Sequence, residues 1–361
     1  MYLKILFLLV LSSVTTLVSV AQKDSSKSPL TISGYIDVYY SYDFSKPADH
    51  NRPPFIYSYN RSNEVNLNIG FIKASYNTSI IRANLAVMTG TYANANLASE
   101  PGLLKIIYEA NAGIKLHRSK NIWLDAGVFE SHLGAESAIG QKCLNLTRSF
   151  AADNSPYFET GVKVTYTSDN TKWLLSGLFL NGWQRIQRMD GNNSIAVGHQ
   201  LTFSPSSSLT INSSSFIGND KPDTVIQMRY FHDLYSKFYL QNKLCVLAGF
   251  DIGMEQNAPK SNRYHIWYTP YLMLQYPLSD KLRMGLRGEY YSDKNQVIIH
   301  TNTANGFQTF GYSINADYAI YKNVLCRIEA RTFNSRDAIF MLNNKPDTDN
   351  YCITTSIAVA F

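Results

Sequence analysis

The 361-residue sequence predicts an all-β fold, a transmembrane antiparallel β-barrel of about 16 strands with short periplasmic turns and longer extracellular loops. Three observations predict it. An export signal opens the chain. Apolar and polar residues alternate with period two over long segments. Short and long connections alternate strictly between those segments. Composition agrees: 17% of residues are charged, against about 25% in an average soluble domain, yet the mean hydropathy of -0.18 is too polar for a helical membrane protein. The 45% hydrophobic content excludes disorder. Collagen, coiled-coil and disulfide-scaffold classes fail on composition.

The elements follow in order. Met1 to Lys4 is a short basic start, and Ile5 to Val18 is apolar apart from small hydroxyls. Ser19-Val20-Ala21 has the small-x-small pattern of a cleavage site. The apolar run is shorter than the roughly 20 residues of a spanning helix, so 1–21 reads as a cleaved signal peptide rather than an anchor. No cysteine follows it to carry a lipid. Removing it takes away Lys4 and no acid, so the net charge of +6 becomes +5. Residues 22–29 read as a short periplasmic segment and 30–361 as a single outer-membrane barrel domain.

Alternation sets the strands. Val65 to Phe71, Ile81 to Val87, Ile122 to Val128 and Leu282 to Tyr290 place apolar residues on one face and polar or small ones on the other. The expected strands are 30–43, 64–77, 80–92, 105–117, 121–131, 157–168, 171–183, 194–204, 208–218, 224–235, 237–254, 265–277, 281–293, 307–321, 323–335 and 350–361. Short turns such as Ser168-Asp169-Asn170, Ser236 and Ser279-Asp280 carry turn-forming residues. Long connections fall near 44–63, 93–104, 132–156, 184–193, 219–223, 255–264, 294–306 and 336–349. A soluble sandwich has no reason to keep its short turns at one end, whereas an outer-membrane barrel does. The last strand alternates from Cys352 to Phe361, the kind of aromatic-ended strand that barrel-assembly machinery reads. The 25 tyrosines suit aromatic girdles, with clusters at Tyr35, Tyr39, Tyr40 and Tyr42 and at Trp267, Tyr268, Tyr271 and Tyr276.

Ile32 to Phe44 (ISGYIDVYYSYDF), Asn60 to Asn68, Phe71 to Tyr76, Tyr108 to Gly113, Trp123 to Phe129, Asn154 to Gly161 and Leu180 to Gln184 carry a resemblance. These segments are similar to the β-barrel porin-2 family, the OmpL-like porins. The resemblance implies an outer-membrane pore and supplies no substrate. It is densest between residues 32 and 190.

In a pore the lumen face is polar, so parity assigns orientation. Lumen candidates are Asp37, Glu64, Arg82, Glu109, Lys115, Asp125, Glu159, Lys163, Arg229, Asp251, Arg283, Arg287, Glu289, Asp317, Arg327, Glu329 and Arg331. Eight are basic and nine acidic, so the wall as a whole is nearly balanced. Arg229, Arg283, Arg287, Arg327 and Arg331 gather on the tenth to fifteenth strands. They form either a basic wall that selects ions or ion pairs that brace the barrel. The connection 132–156 is the longest. Folded inward it would make Glu136, Lys142, Arg148 and Asp153 constriction residues; folded outward it would be a solvated surface loop.

Four cysteines give no disulfide framework: parity puts Cys326 on the lipid face and Cys352 on the lumen face. Cysteine, histidine and carboxylate spacings suggest no metal or cofactor site. The seven histidines accompany no nucleophile elbow or phosphate loop, which gives no catalytic residues. A charge of +5 gives little reason for nucleic-acid binding. The leading expectation is a non-enzymatic porin of a Gram-negative outer membrane, open to passive diffusion of small hydrophilic solutes or ions. Its partners would be lipid, those solutes and a further copy of itself. A barrel enzyme of the lipase or protease kind is the alternative, and a secreted β-sandwich a weaker one.

Overall fold

The computed structural model describes residues 28–240, 243–342 and 345–361. The expected signal peptide and most of 22–29 lie outside the described residues. Sixteen antiparallel strands close into one barrel. They are β1 (Leu30–Asp43), β2 (Glu64–Asn77), β3 (Ile81–Thr89), β4 (Ile107–Lys115), β5 (Asn121–Glu130), β6 (Phe158–Thr167), β7 (Trp173–Leu180), β8 (Ala196–Ser206), β9 (Leu209–Gly218), β10 (Arg229–Leu240), β11 (Leu244–Gln256), β12 (Tyr264–Pro277), β13 (Leu282–Asp293), β14 (Phe307–Tyr321), β15 (Val324–Ser335) and β18 (Asp349–Ala360). Two three-residue strands, β16 (Phe340–Leu342) and β17 (Lys345–Asp347), form a separate hairpin in the last long loop. Each strand pairs with its neighbours in the chain, and β1 pairs with β18 to close the ring. Closure leaves no free sheet edge, which is what a hydrocarbon surrounding requires.

Parity decides what each wall faces. Ile36, Leu85, Leu286, Ile314, Ile328 and Ile357 are large, apolar and exposed on the outer wall. Their neighbours one residue along point inward and are mostly buried. No helix among the described residues is long and apolar enough to cross a membrane, so the strands do the crossing. A barrel of this strand number encloses an aqueous lumen rather than a packed core.

Three expectations are corrected. The tenth strand runs from Arg229 to Leu240, not 224–235. Ser236 is not a turn, because alternation simply continues through it to Lys237. The eleventh strand accordingly begins at Leu244. The aromatic clusters are not purely girdles. Tyr35, Tyr39, Trp267 and Tyr271 point inward and are at most 5% exposed, while Tyr276 lies outside. Gly249 and Gly253 stand opposite Tyr271 and Trp267 on β11, where a side chain would collide with either ring.

The inward aromatics have something to pack on, because the long loops fold into the barrel. Phe55 from residues 44–63 and Phe150 from the β5–β6 loop join Phe307, Phe333 and Phe340 in one apolar cluster. Ring centroids there lie 4.7 to 6.2 Å apart in mostly edge-on geometry, the favoured arrangement for such pairs. Tyr92, Ala93 and Leu97, from the short helix Thr91–Asn96 and its end, pack with Tyr157 and Phe158 in a second cluster.

Candidate functional site

The site is the lumen, and the β5–β6 loop divides it. The loop enters at His132, which is buried. Its Nδ1 lies 2.6 Å from Glu159 Oε2 and its Nε2 lies 2.8 Å from the carbonyl oxygen of Ser215. Both ring nitrogens face acceptors, so the doubly protonated ring fits best. Burial alone would lower the pKa of His132, but Glu159 and the carbonyl outweigh it and the pKa is raised. This contact ties β5 and β6 to β9.

Further on, the loop is gripped by its own arginine. Arg148 is fully buried and donates to the carbonyl oxygens of Ser137 (2.7 Å), Ala138 (3.2 Å) and Leu146 (2.8 Å). Ser149 caps the helical turn Phe150–Asp153 by accepting from Ala152 N–H, the ordinary role of serine there. Glu136 accepts from Ser149, through both its N–H and its hydroxyl. Asp153 accepts from Ser58 at 3.1 Å, linking this loop to the first long one. Burial pushes the Asp153 carboxyl up to about 6, against the pull of Arg331 and Arg148.

The loop is then held against one arc of the wall. Arg327 donates to the carbonyl oxygens of Gly140 (2.8 Å), Cys143 (3.2 Å) and Leu144 (3.3 Å) while pairing with Asp317 at 2.7 Å. Arg287 donates to the Thr147 carbonyl at 2.7 Å and pairs with Glu329 at 2.8 Å. Glu329 accepts from Thr147 N–H at 2.6 Å, and Glu289 accepts from Phe150 N–H at 2.6 Å. Arg331 closes the group on Glu289 at 2.6 Å. All six of these wall residues are at most 4% exposed. Charged, multiply bonded and dry contacts of this kind are strong when complete.

Of the two arrangements left open for the C-terminal arginines, Arg287, Arg327 and Arg331 adopt the bracing ion pairs. They are sealed beneath the loop in ion pairs with Glu289, Glu329 and Asp317 and present no charge to water. Arg229 stands at the extracellular end of β10, bound to Glu255 at 2.6 Å and near Asp220 at 3.6 Å. Its guanidinium lies over Trp183 and Trp267. Of the five C-terminal arginines only Arg283 is exposed. The loop's own Arg148 and Asp153 are structural, fully covered groups. Glu136 is half-buried, and Lys142 alone of the four is exposed.

The opposite arc, β2 to β8, is covered near its extracellular end, where Phe71, Met88 and Phe158 pack under Tyr92, Leu97 and Ala152, and is bare in its periplasmic half. Asn84, Asn111, Thr165, Gln200 and Thr202 face inward and are partly exposed. Arg82 pairs with Asp125, its Nε at 2.6 Å, and lies over the Trp123 ring at 4.4 Å. Lys73 pairs with Glu109. Lys163 sits 4.3 Å over the Phe129 ring, and Lys115 lies inward near the periplasmic end. The carboxylates of this arc are the buried members: Glu109, Asp125 and Glu159 are at most 7% exposed. Parity also places Lys73 and Lys237 inward, two cations absent from the sequence-based set. Lys73 was findable from the Phe71-Ile72-Lys73 alternation, and Lys237 was hidden by the misplaced turn.

All four cysteines are free thiols. Cys352 faces the interior beside Arg52, 2.8 Å from Nη2. Among the described residues no group of three or more histidine, cysteine, aspartate or glutamate side chains could hold a metal ion.

A family model described as "Putative beta-barrel porin-2, OmpL-like" matches residues 29–361. No curated protein matches the chain. Similar solved structures include the anion-selective porin from Comamonas acidovorans, with TM-score 0.61 and 8% identity over 92% of this chain and 99% of that one. The outer membrane channel DcaP of Acinetobacter baumannii gives TM-score 0.61 and 10% identity over 92% and 97%. Salmonella typhi OmpF, in complex with daunomycin, gives TM-score 0.58 and 12% identity over 92% and 97%. At such identities the likeness is one of fold.

Proposed function

The chain belongs to the OmpL-like β-barrel porin family, and from that premise we propose a passive diffusion channel for small hydrophilic solutes that prefers anions. The membership makes it an outer-membrane channel. The solute class, the preference and the role of the loop are the proposal. Export through cleavage after Ala21 and assembly through the C-terminal strand belong to the same reading.

One observation carries the preference: the unpaired inward charges that reach water are cationic, exposed in Arg283 and Lys142 and partly so in Lys115, Lys163 and Lys237, whereas the unpaired acids Asp37, Asp233 and Asp251 are buried. On the bare arc, Glu109 and Asp125 are taken up by Lys73 and Arg82, and Glu159 by His132. Lys115, Lys163, Lys237 and Arg283 remain inward without an ion-pair partner among the described residues, and Lys142 is exposed on the loop. Fixed charge at close quarters is how pores select ions. The inward loop supports a lumen narrowed to one side, with aperture set between Lys142 and the bare arc.

Planar-bilayer recording in a potassium chloride gradient tests both parts. The reading expects open channels whose reversal potential has the sign of chloride preference. A protein closed to ions would overturn the channel, and a cation-selective reversal would overturn the preference.

The enzyme alternative has one contact in its favour: Ser215 Oγ lies 2.5 Å from His199 Nδ1 on the outer wall. No carboxylate among the described residues orients that histidine, and the neighbouring main-chain groups are committed to the strand ladders. An activated serine needs both an oriented base and oxyanion donors. We therefore read the protein as a channel without catalysis. Phospholipid hydrolysis that disappears on Ser215→Ala would reverse this.

A further inference from the structure

Among the described residues the outer wall has one region that does not suit lipid. In register across β7 to β10 stand Gly177, His199, Ser215 and His232. All share the face that carries Val197, Leu201, Ile211, Ile217 and Leu234, which are apolar and on the lipid side. Ser215 is hydrogen-bonded to His199, and Ser213 lies 3.4 Å from His232 Nε2. The two imidazole rings are 6.1 Å apart. His199 Nε2 and His232 Nδ1 have no partner among the described residues. The patch lies one outward position in from the extracellular strand ends. Val197, Ile217 and Tyr230 lie above it on the same strands, with Leu201, Ile211 and Leu234 below. Polar and ionisable groups inside a membrane are rare and mark contacts or function.

Above the patch the polarity is reversed. Met189 and Ile195 in the β7–β8 loop and Val225 and Ile226 in the β9–β10 loop are 40 to 62% exposed beyond the extracellular strand ends. A polar patch where lipid should lie and exposed apolar loop residues beyond the strand ends are both relieved by one covering protein. Gly177 adds a notch: a side chain built there would meet nothing within 4 Å.

We infer that the outer face of β7–β10 is the contact between two copies of this chain, docked face to face about a two-fold axis. A single patch that carries both donors and acceptors is complementary to itself, and an isologous contact uses the same patch twice. Small residues and interhelical-type polar pairs drive association where the hydrophobic effect cannot, and the same physics holds between strands. Four strands about 4.8 Å apart across an apolar band about 25 Å tall offer about 500 Å². The exposed loop residues extend this toward the roughly 800 Å² per partner of a standard interface. The inference does not depend on ion preference or on the loop in the lumen.

The test is disulfide trapping in outer membranes. Cys326→Ser first removes the native thiol on the opposite, lipid-facing wall. Ser215→Cys in that background should form a disulfide-linked band of twice the mass on oxidation with copper phenanthroline. Ile328→Cys, exposed on the far wall, should not. Gly177→Trp, added to Ser215→Cys, should cut the linked fraction at least tenfold while the heat-dependent gel shift of the closed barrel persists. If Ser215→Cys does not assemble, Ser213→Cys takes its place. Absence of the linked band, equal linking at residue 328, or no response to Gly177→Trp overturns the inference. So does a native mass of one copy carrying lipopolysaccharide, which would assign the patch to a glycolipid.

Discussion

The two arcs of the inner wall are built from the same residue types and do different things. From β10 to β15 and on to β18, Arg287, Arg327 and Arg331 and their glutamate and aspartate partners meet a backbone that arrives from the β5–β6 loop, and their charges are spent on that loop or on one another. In the periplasmic half of β2 to β8, which no such network covers, lysines and arginines reach water. Orientation toward the lumen is thus not the same as access to it. What distinguishes the arcs is whether a loop lies over them, and that decides between bracing and selection.

The comparison can be broken most directly on the sealed arc. Arg287→Met would leave Glu329 and Glu289 buried without a full complement of partners, and breaking a buried pair of this kind costs about 3–5 kcal/mol. The expected outcome is a large fall in the temperature of the heat-dependent gel shift, together with higher conductance as the loop loosens. Unchanged values would mean that the arc is not held by this network.

A pH effect of somewhat smaller size should follow from Asp153. Its carboxyl titrates near 6 in the folded protein, above its usual range, so between about pH 4 and 6 the folded state binds the extra proton. Stability is then greatest at low pH and falls as pH rises through 6. A shift of about two units corresponds to about 3 kcal/mol at most. Asp153→Asn should flatten that part of the profile of thermal stability against pH.

On the bare arc the effects should be functional rather than structural. One unit charge about 4 Å from an ion in water is worth about 1 kcal/mol, or roughly a fivefold change in occupancy. Lys163→Gln and Lys115→Gln should each move the reversal potential toward zero by up to that factor in permeability ratio. The gel-shift temperature should hardly change. A large loss of stability would erase the distinction between the arcs.

The smallest effect is expected at the periplasmic turns. Lys120 and Asp169 form an exposed ion pair at 2.9 Å, and exposed pairs contribute little. Lys120→Ala should leave both the gel shift and the conductance unchanged, which serves as the baseline for the other variants.

Most of the barrel was legible because its walls obey period two and its ends obey different length rules. Leu30–Asp43, Glu64–Asn77 and Phe307–Tyr321 emerge from alternation with their boundaries intact. Ser236 misled because a small polar residue on the outer wall looks like a turn when no partner strand is visible. The site was legible only in part. Parity puts Arg287, Arg327 and Arg331 inside, but it carries no information about a loop more than a hundred residues away in sequence. The deciding contacts are to carbonyl oxygens of Gly140, Leu144 and Thr147, which have no sequence signature. The polar patch of His199 and His232 was visible as two histidines and nothing more, since its meaning depends on which face lies toward lipid.

The grip on the inward loop has a consequence for how such a protein changes over generations. Arg327, Arg287 and Arg148 hold the loop mainly through its main-chain oxygens. Peptide carbonyls are the same whatever side chain follows them. A position such as Lys142, whose side chain makes none of these bonds, can therefore be exchanged without loosening the attachment. The mounting is inherited separately from the fitting, so a lineage can retune what its opening admits one substitution at a time while the scaffold stays intact.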